Sequence, residues 1–156
     1  MHCRYYREVL GALASFPFYN TYVHLPPHDA PIPDYIRDNP KFFPYFANVL
    51  GAIDGTHIRC CPSAIERQLA RDRKGQVTQN TLAVCGFDMV FYYIVTGWDG
   101  SASDSYMYND ARLNDFAIPE GRCYLADAGF GQCDALLVPY RGVRYHLAEW
   151  GRAQVR

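Results

Sequence analysis

An α/β domain, with a mixed β-sheet flanked by helices, is the fold class this sequence predicts. Three observations carry the prediction. TLAVCGF (81–87) and MVFYYIVTGW (89–98) are rich in β-branched and aromatic residues and are separated only by Asp88, so they read as adjoining strands of a hairpin. DSYMYNDARLNDF (104–116) then reads as a helix and leads into a further short apolar run, CYLAD (123–127). A hairpin followed by helical crossovers produces a mixed sheet covered by helices. Finally, seven of the ten prolines fall within residues 1–47, so an irregular arm precedes the regular body.

The elements follow in chain order. A helix is expected over Arg4–Ala14, followed by the proline-rich arm LPPHDAPIPDYIRDNPKFFPYF, which should lie across the larger body. This divides the chain into residues 1–47, a helix with its arm, and residues 48–156, the core. The core opens with VLGAID (49–54), an apolar strand ending on Asp-Gly, and continues with the 81–87 and 89–98 strands. In the 104–116 helix, Tyr106, Leu113 and Phe116, with Met107 nearby, form an imperfect apolar stripe, and an Asp or Ser stands at its start as N-cap. CYLAD and ALLVPY (135–140) supply two more short strands.

Composition narrows the function classes. The 156 residues carry 15 Lys+Arg against 16 Asp+Glu, and 49% are hydrophobic. That balance excludes global disorder and argues against a generic basic nucleic-acid binder. No run approaches the ~18 apolar residues that cross a bilayer, and the N-terminus reads as a helix rather than a signal peptide. The six cysteines form no Cys-x-x-Cys pair. Cys60, Cys85, Cys123 and Cys133 sit in or beside apolar runs, where a free thiol packs as a small hydrophobe, so an intracellular, reducing compartment is expected.

Two acids terminate apolar runs and are followed by small residues: Asp54 in GAIDGTHI and Asp127 in YLADAGF. A carboxylate in that position is costly unless solvated, paired or bound to a metal. Converging carboxylates suit phosphoryl transfer, because Mg²⁺ takes oxygen ligands and a pair of such ions can serve both the attacking and the leaving oxygen. Simpler roles compete. Asp54-Gly55 is also a hairpin-turn signal, although NPKFFPYF makes a poor first arm. Asp127 suits a turn before Gly129, Asp104 suits a helix cap or first-turn acid, and His57 suits packing or hydrogen bonding.

The runs NPKFFPYFANVLGAIDGTHIRCCP, RKGQVTQNTLAVCGFDMVFYYIVTGWDGSASDS, YLADAGF and LLVPYRGVRYHLAEW resemble PIF/Harbinger-type transposases of the DDE endonuclease superfamily, over about residues 36–150. The resemblance implies a ribonuclease H-like fold and DNA cutting and joining with Mg²⁺ or Mn²⁺. Matched by position, Asp54 is the first catalytic Asp and Asp127 the second, while Asp104 matches the acid of a Gly-Ser-x-x-Asp-Ser motif and is a further candidate metal ligand. It also implies a nuclear location, DNA ends and target as substrates, and either self-association or a companion DNA-binding protein.

The sequence departs from the family in three places. The family's catalytic Glu lies in a later Arg-x-x-x-Glu helix, and nothing after Asp127 fits it; Glu149 in HLAEW falls where the family's chain precedes that helix. Ser103 stands where the family tends to have His, and the N-terminal helix-turn-helix is absent or reduced to its tail. A C-terminally incomplete core is therefore expected, either part of an active enzyme or an inactive transposase-derived binding module. A hydrolase of small phosphate esters is a more remote third reading.

For DNA contacts, Arg67, Arg71, Arg73 and Lys74 cluster in ERQLARDRKGQ, where helical spacing would put Arg67 and Arg71 on one face. A solvated helix with Glu66 and Asp72 as partners is the alternative. Arg141 and Arg144, beside Tyr140, Tyr145 and His146, form a second candidate surface.

Overall fold

Alternation of apolar residues along adjoining segments lets each strand bury one face, and the chain folds accordingly. A computed structural model describes residues 2–140 and 142. Its elements are α1 (His2–Leu13), α2 (Phe18–Tyr22), α3 (Asp34–Arg37), β1 (Val49–Arg59), β2 (Thr78–Cys85), β3 (Phe91–Asp99), α4 (Asp104–Asn114), β4 (Cys123–Leu125) and β5 (Leu136–Leu137). The strands form one sheet in the order β3-β2-β1-β4-β5. β1, β2 and β3 run antiparallel, and β4 and β5 join in parallel, so the predicted mixed sheet is what forms.

The β2–β3 hairpin turns at Gly86–Val90, where Gly86 donates its amide to the Val90 carbonyl at 2.9 Å. Asp88 accepts from the Val90 amide at 3.1 Å, and Met89 takes the left-handed backbone (φ 65°) that tightens the turn.

Register then decides what is buried. Leu82 opposes Val95 and Val84 opposes Tyr93, so these four share a face. Across the other edge of β2, Ile53 opposes Val84. α4 covers this face with Met107, Tyr108 and Ala111, and Phe116, Tyr124, Phe130, Leu50 and Leu136 complete the core. The apolar stripe of this helix is thus Met107-Tyr108-Ala111 rather than the expected Tyr106-Leu113. Leu113 is 86% exposed, and Phe116 enters the core just beyond the helix end. Tyr106, 60% exposed, sets its ring edge-on to Trp98.

Two other expectations change. β1 runs to Arg59 instead of ending at Asp54, because Thr56, His57 and Ile58 keep pairing with Thr81, Asn80 and Gln79. Asp54-Gly55 is therefore mid-strand and makes no hairpin turn. ERQLARDRKGQ forms turns instead of a helix, with two isolated i,i+4 bonds, Arg67 to Ser63 and Ala70 to Glu66. Asp72 ends it by accepting from the amides of both Lys74 and Gln76 at 2.8 Å, and Arg71 bridges to Val77.

The arm contains only the short α2 and α3, as proline density requires. It is pinned to the body where Arg122 Nη1 donates to the Ala30 carbonyl at 3.2 Å and where Tyr35 stacks on Phe87 at 5.7 Å. Cys60, Cys61, Cys85, Cys123 and Cys133 are free thiols. Among the described residues no helix is long and apolar enough to cross a membrane.

Candidate active site

The parallel pairing of β1 with β4 assembles the site. Its last matched pair is Ala52 with Leu125, and Asp54 and Asp127 each lie two residues further along. Strand alternation sets Asp54 on the face opposite Ile53 and Gly55, the same side as Ala52 and Leu125. Both acids lie just past that pairing, where the core's apolar cover stops: Ile53 is 2% exposed, and Asp54 and Asp127 are exposed.

Each acid is held locally. Gly55 donates its amide to Asp54 Oδ1 at 2.8 Å, and Gly129 donates to Asp127 Oδ1 at 2.7 Å. Asp127 therefore makes the turn that its sequence neighbours suggest and also stands at the site; the two readings coexist. Ser105 Oγ ties the same loop to α4 by donating to the Gly129 carbonyl at 2.7 Å.

Asp104 arrives from the other side, as the first residue of α4. Ser103 is the N-cap, accepting from the Tyr106 amide at 3.3 Å, so Asp104 is the first-turn acid. Its carboxylate occupies the space that a side chain on Gly55 would fill: a Cβ built there would lie 1.9 Å from Asp104 Oδ1. A Cβ on Gly129 would meet Asp127 Oδ1 at 2.9 Å and Asp104 Oδ2 at 3.5 Å. Two glycines thus make the hollow that these acids share.

The sequence reading missed Asn80. It is 1% exposed, and its Nδ2 donates to the Ala102 carbonyl at 3.0 Å and to Asp104 Oδ1 at 3.4 Å, while its Oδ1 accepts from the Thr81 amide. Asparagine is depleted in strands, so its presence in TQNTLAV was the available signal. His57 fulfils its hydrogen-bonding expectation, with Nδ1 3.0 Å from Thr78 Oγ1.

Partial burial of its carboxyl raises the pKa of Asp54 from its ordinary value. The Gly55 amide opposes that shift, and the charges of Asp127 and Asp104 add to it. Because the folded carboxyl is raised, Asp54 contributes stability in full only below the unfolded value of about 3.9, and that contribution is lost as pH rises through the folded value. Asp54→Asn should therefore melt higher than the parent at pH 7 in chelator, and the gap should close at pH 3.5; calorimetric melting at the two pH values checks this.

The donor chemistry fits a hard divalent cation: an adjacent carboxylate pair suits an ion that takes one or two protein carboxylates and completes its shell with water or phosphate. Among the described residues no three His, Cys, Asp or Glu side chains group tightly enough to enclose an ion.

Of the predicted basic residues, Arg73 and Lys74 line a cleft that Asp104 also lines. Arg71 donates to the Gly75 carbonyl at 2.7 Å, and Arg67 is exposed on the turns outside that cleft. Glu66 serves Ser63 rather than an arginine. Tyr140 is exposed, whereas Arg141, Arg144, Tyr145, His146 and Glu149 lie outside the described residues.

In comparison with known families, the family model described as DDE superfamily endonuclease matches residues 53–155. No curated protein and no solved structure matches the chain.

Proposed function

The chain belongs to the DDE superfamily endonucleases, and from that premise we propose that it is the nuclease core of a PIF/Harbinger-type transposase with a ribonuclease H-like sheet. Its reaction is hydrolysis of DNA phosphodiester bonds, followed by attack of the freed 3′-hydroxyl on a target phosphodiester, from which the target's own 3′-oxygen leaves. The observation that supports this reading is that Asp54 and Asp127 each lie two residues beyond the last parallel pair, Ala52 with Leu125.

Asp54 and Asp127 are the catalytic carboxylates and, with Asp104, the ligands for Mg²⁺ or Mn²⁺. When bound, such ions lower the pKa of water and offset charge on the reacting phosphate. The chain's own groups do the rest. The Gly55 and Gly129 amides fix one oxygen of Asp54 and of Asp127, and the other oxygen of each would be available to an ion. Asn80 and the α4 N-terminus hold Asp104 over Gly55. Arg67, Arg71, Arg73 and Lys74 supply cations for DNA phosphates. The protein works in the nucleus, as a homo-oligomer or with a DNA-binding companion.

Metal titration calorimetry and nicking of supercoiled plasmid test the reading. The chain should bind Mn²⁺, any nicking should require that ion, and Asp54→Asn and Asp127→Asn should each weaken Mn²⁺ binding and remove such nicking. Nicking by Asp54→Asn at the parental rate would sink the assignment. DNA binding with neither metal binding nor nicking would replace it with an inactive binding module.

A further inference from the structure

β1 continues well past the acids, and its far end forms the floor of a cleft. His57 and Arg59 lie on the same face of β1 as Ile53 and Gly55, and Arg59 pairs with Thr78 at the start of β2. The Arg73–Lys74 turn makes one wall and the 100–104 loop the other, enclosing about 330 Å³. Two backbone bonds fasten the walls: Thr78 donates to the Ala70 carbonyl at 2.7 Å and Ser101 to the Leu69 carbonyl at 3.3 Å. The basic turn is therefore tied to the elements that line the cleft together with Asp104.

The lining is cationic in effect. Arg59, Arg73 and Lys74 face two acids, Asp72 and Asp104. Asp72 is already engaged by the amides of Lys74 and Gln76, and Asp104 belongs to the acid site. Among the described residues none of the three cations has an ion-pair partner. A volume at the small end of ligand pockets accommodates a nucleotide-sized segment rather than a duplex.

We infer that this cleft seats the phosphate backbone of a single DNA strand as it leaves the acids, gripped by Arg59, Arg73 and Lys74. The inference rests on the endonuclease reading for its substrate class. It adds Arg59, which charge clustering along the sequence does not reveal, and it assigns the grip to Arg73 and Lys74 rather than to Arg67 and Arg71.

The test measures binding of a fluorescent single-stranded oligonucleotide by the full chain across a salt series, with Mg²⁺ titration on the same proteins. Each lost phosphate contact flattens the log–log salt dependence by about 0.7 for a single strand. The Arg59→Ala/Arg73→Ala/Lys74→Ala variant should show a slope shallower by about 2 and at least tenfold weaker binding at low salt, with Mg²⁺ binding unchanged. Lys74→Ala alone, on an exposed turn, should give about a third of that change in slope, which guards against misfolding of the triple variant. Lys41→Ala, an exposed cation in the arm, should bind as the parent does.

Parental affinity and slope in the triple variant, or a parent chain that does not bind the strand, would overturn the cleft. If the triple variant loses strand binding while the parent neither binds Mg²⁺ nor nicks, the cleft stands and the endonuclease reading falls. If Asp54→Asn loses metal while the triple variant binds DNA undiminished, the cleft alone falls.

Discussion

Phe116→Ala should destabilise the protein by about 3–5 kcal/mol, the range for removing a buried phenylalanine. Phe116 is 1% exposed and anchors an aromatic cluster. Its ring stacks on Tyr93 at 4.8 Å, lies 5.7 Å from Tyr124 and meets Tyr108 edge-on at 6.3 Å. Truncation therefore strips contacts from three neighbours that reach it from β3, β4 and α4. Against a typical total of about 5–15 kcal/mol, this loss threatens the fold itself. Urea denaturation of the two chains measures it; a loss under 1 kcal/mol would mean that the cluster closes up around the gap.

Gly55→Ala should act on the acid site while leaving the fold intact. The new methyl would occupy the space of Asp104 Oδ1, and a short side chain can swing aside where a backbone could not. Swinging breaks the contact with Asn80 Nδ2 and moves Asp104 away from Gly129. Displacing groups that orient metal ligands typically costs 10–100-fold in affinity; a tenfold or greater loss of Mn²⁺ affinity with an unchanged circular dichroism spectrum is the expected result. Unchanged affinity would remove Asp104 from the ligand set and leave it as the first-turn acid of α4 alone.

Much of the architecture was legible because it is local. The β2–β3 hairpin announces itself through two β-rich runs around one aspartate, and α4 through a capped segment between strands. The stripe on α4 was misread because both Tyr106 and Tyr108 look apolar in sequence, and only the position of the sheet decides that Tyr108 goes inside. The length of β1 was underestimated because THIR is polar. Its strand character comes from pairing with β2, a tertiary effect that no periodicity announces.

At the site, Asp54 and Asp127 stood out because an acid after an apolar run is anomalous. Asn80 and Arg59 did not, since each acquires meaning only from what the register sets opposite it. The run Arg67–Lys74 looked uniform in sequence, yet the Asp72 turn divides it, with Arg73 and Lys74 in the cleft and Arg67 outside.

The pairing of β1 with β4 has a kinetic consequence. The β2–β3 hairpin closes across a few residues and can form early, and β1 reaches β2 across a moderate loop. β4 must find β1 across the whole hairpin and α4, and it brings only three residues, Cys123–Leu125, to the encounter. Loop-closure entropy grows with that separation, and contacts of high sequence distance tend to be the slow ones. Asp54 and Asp127 are therefore brought into one region only by a pairing of long sequence separation. If the proposed reaction needs both acids, the chain cannot carry it out before that pairing forms.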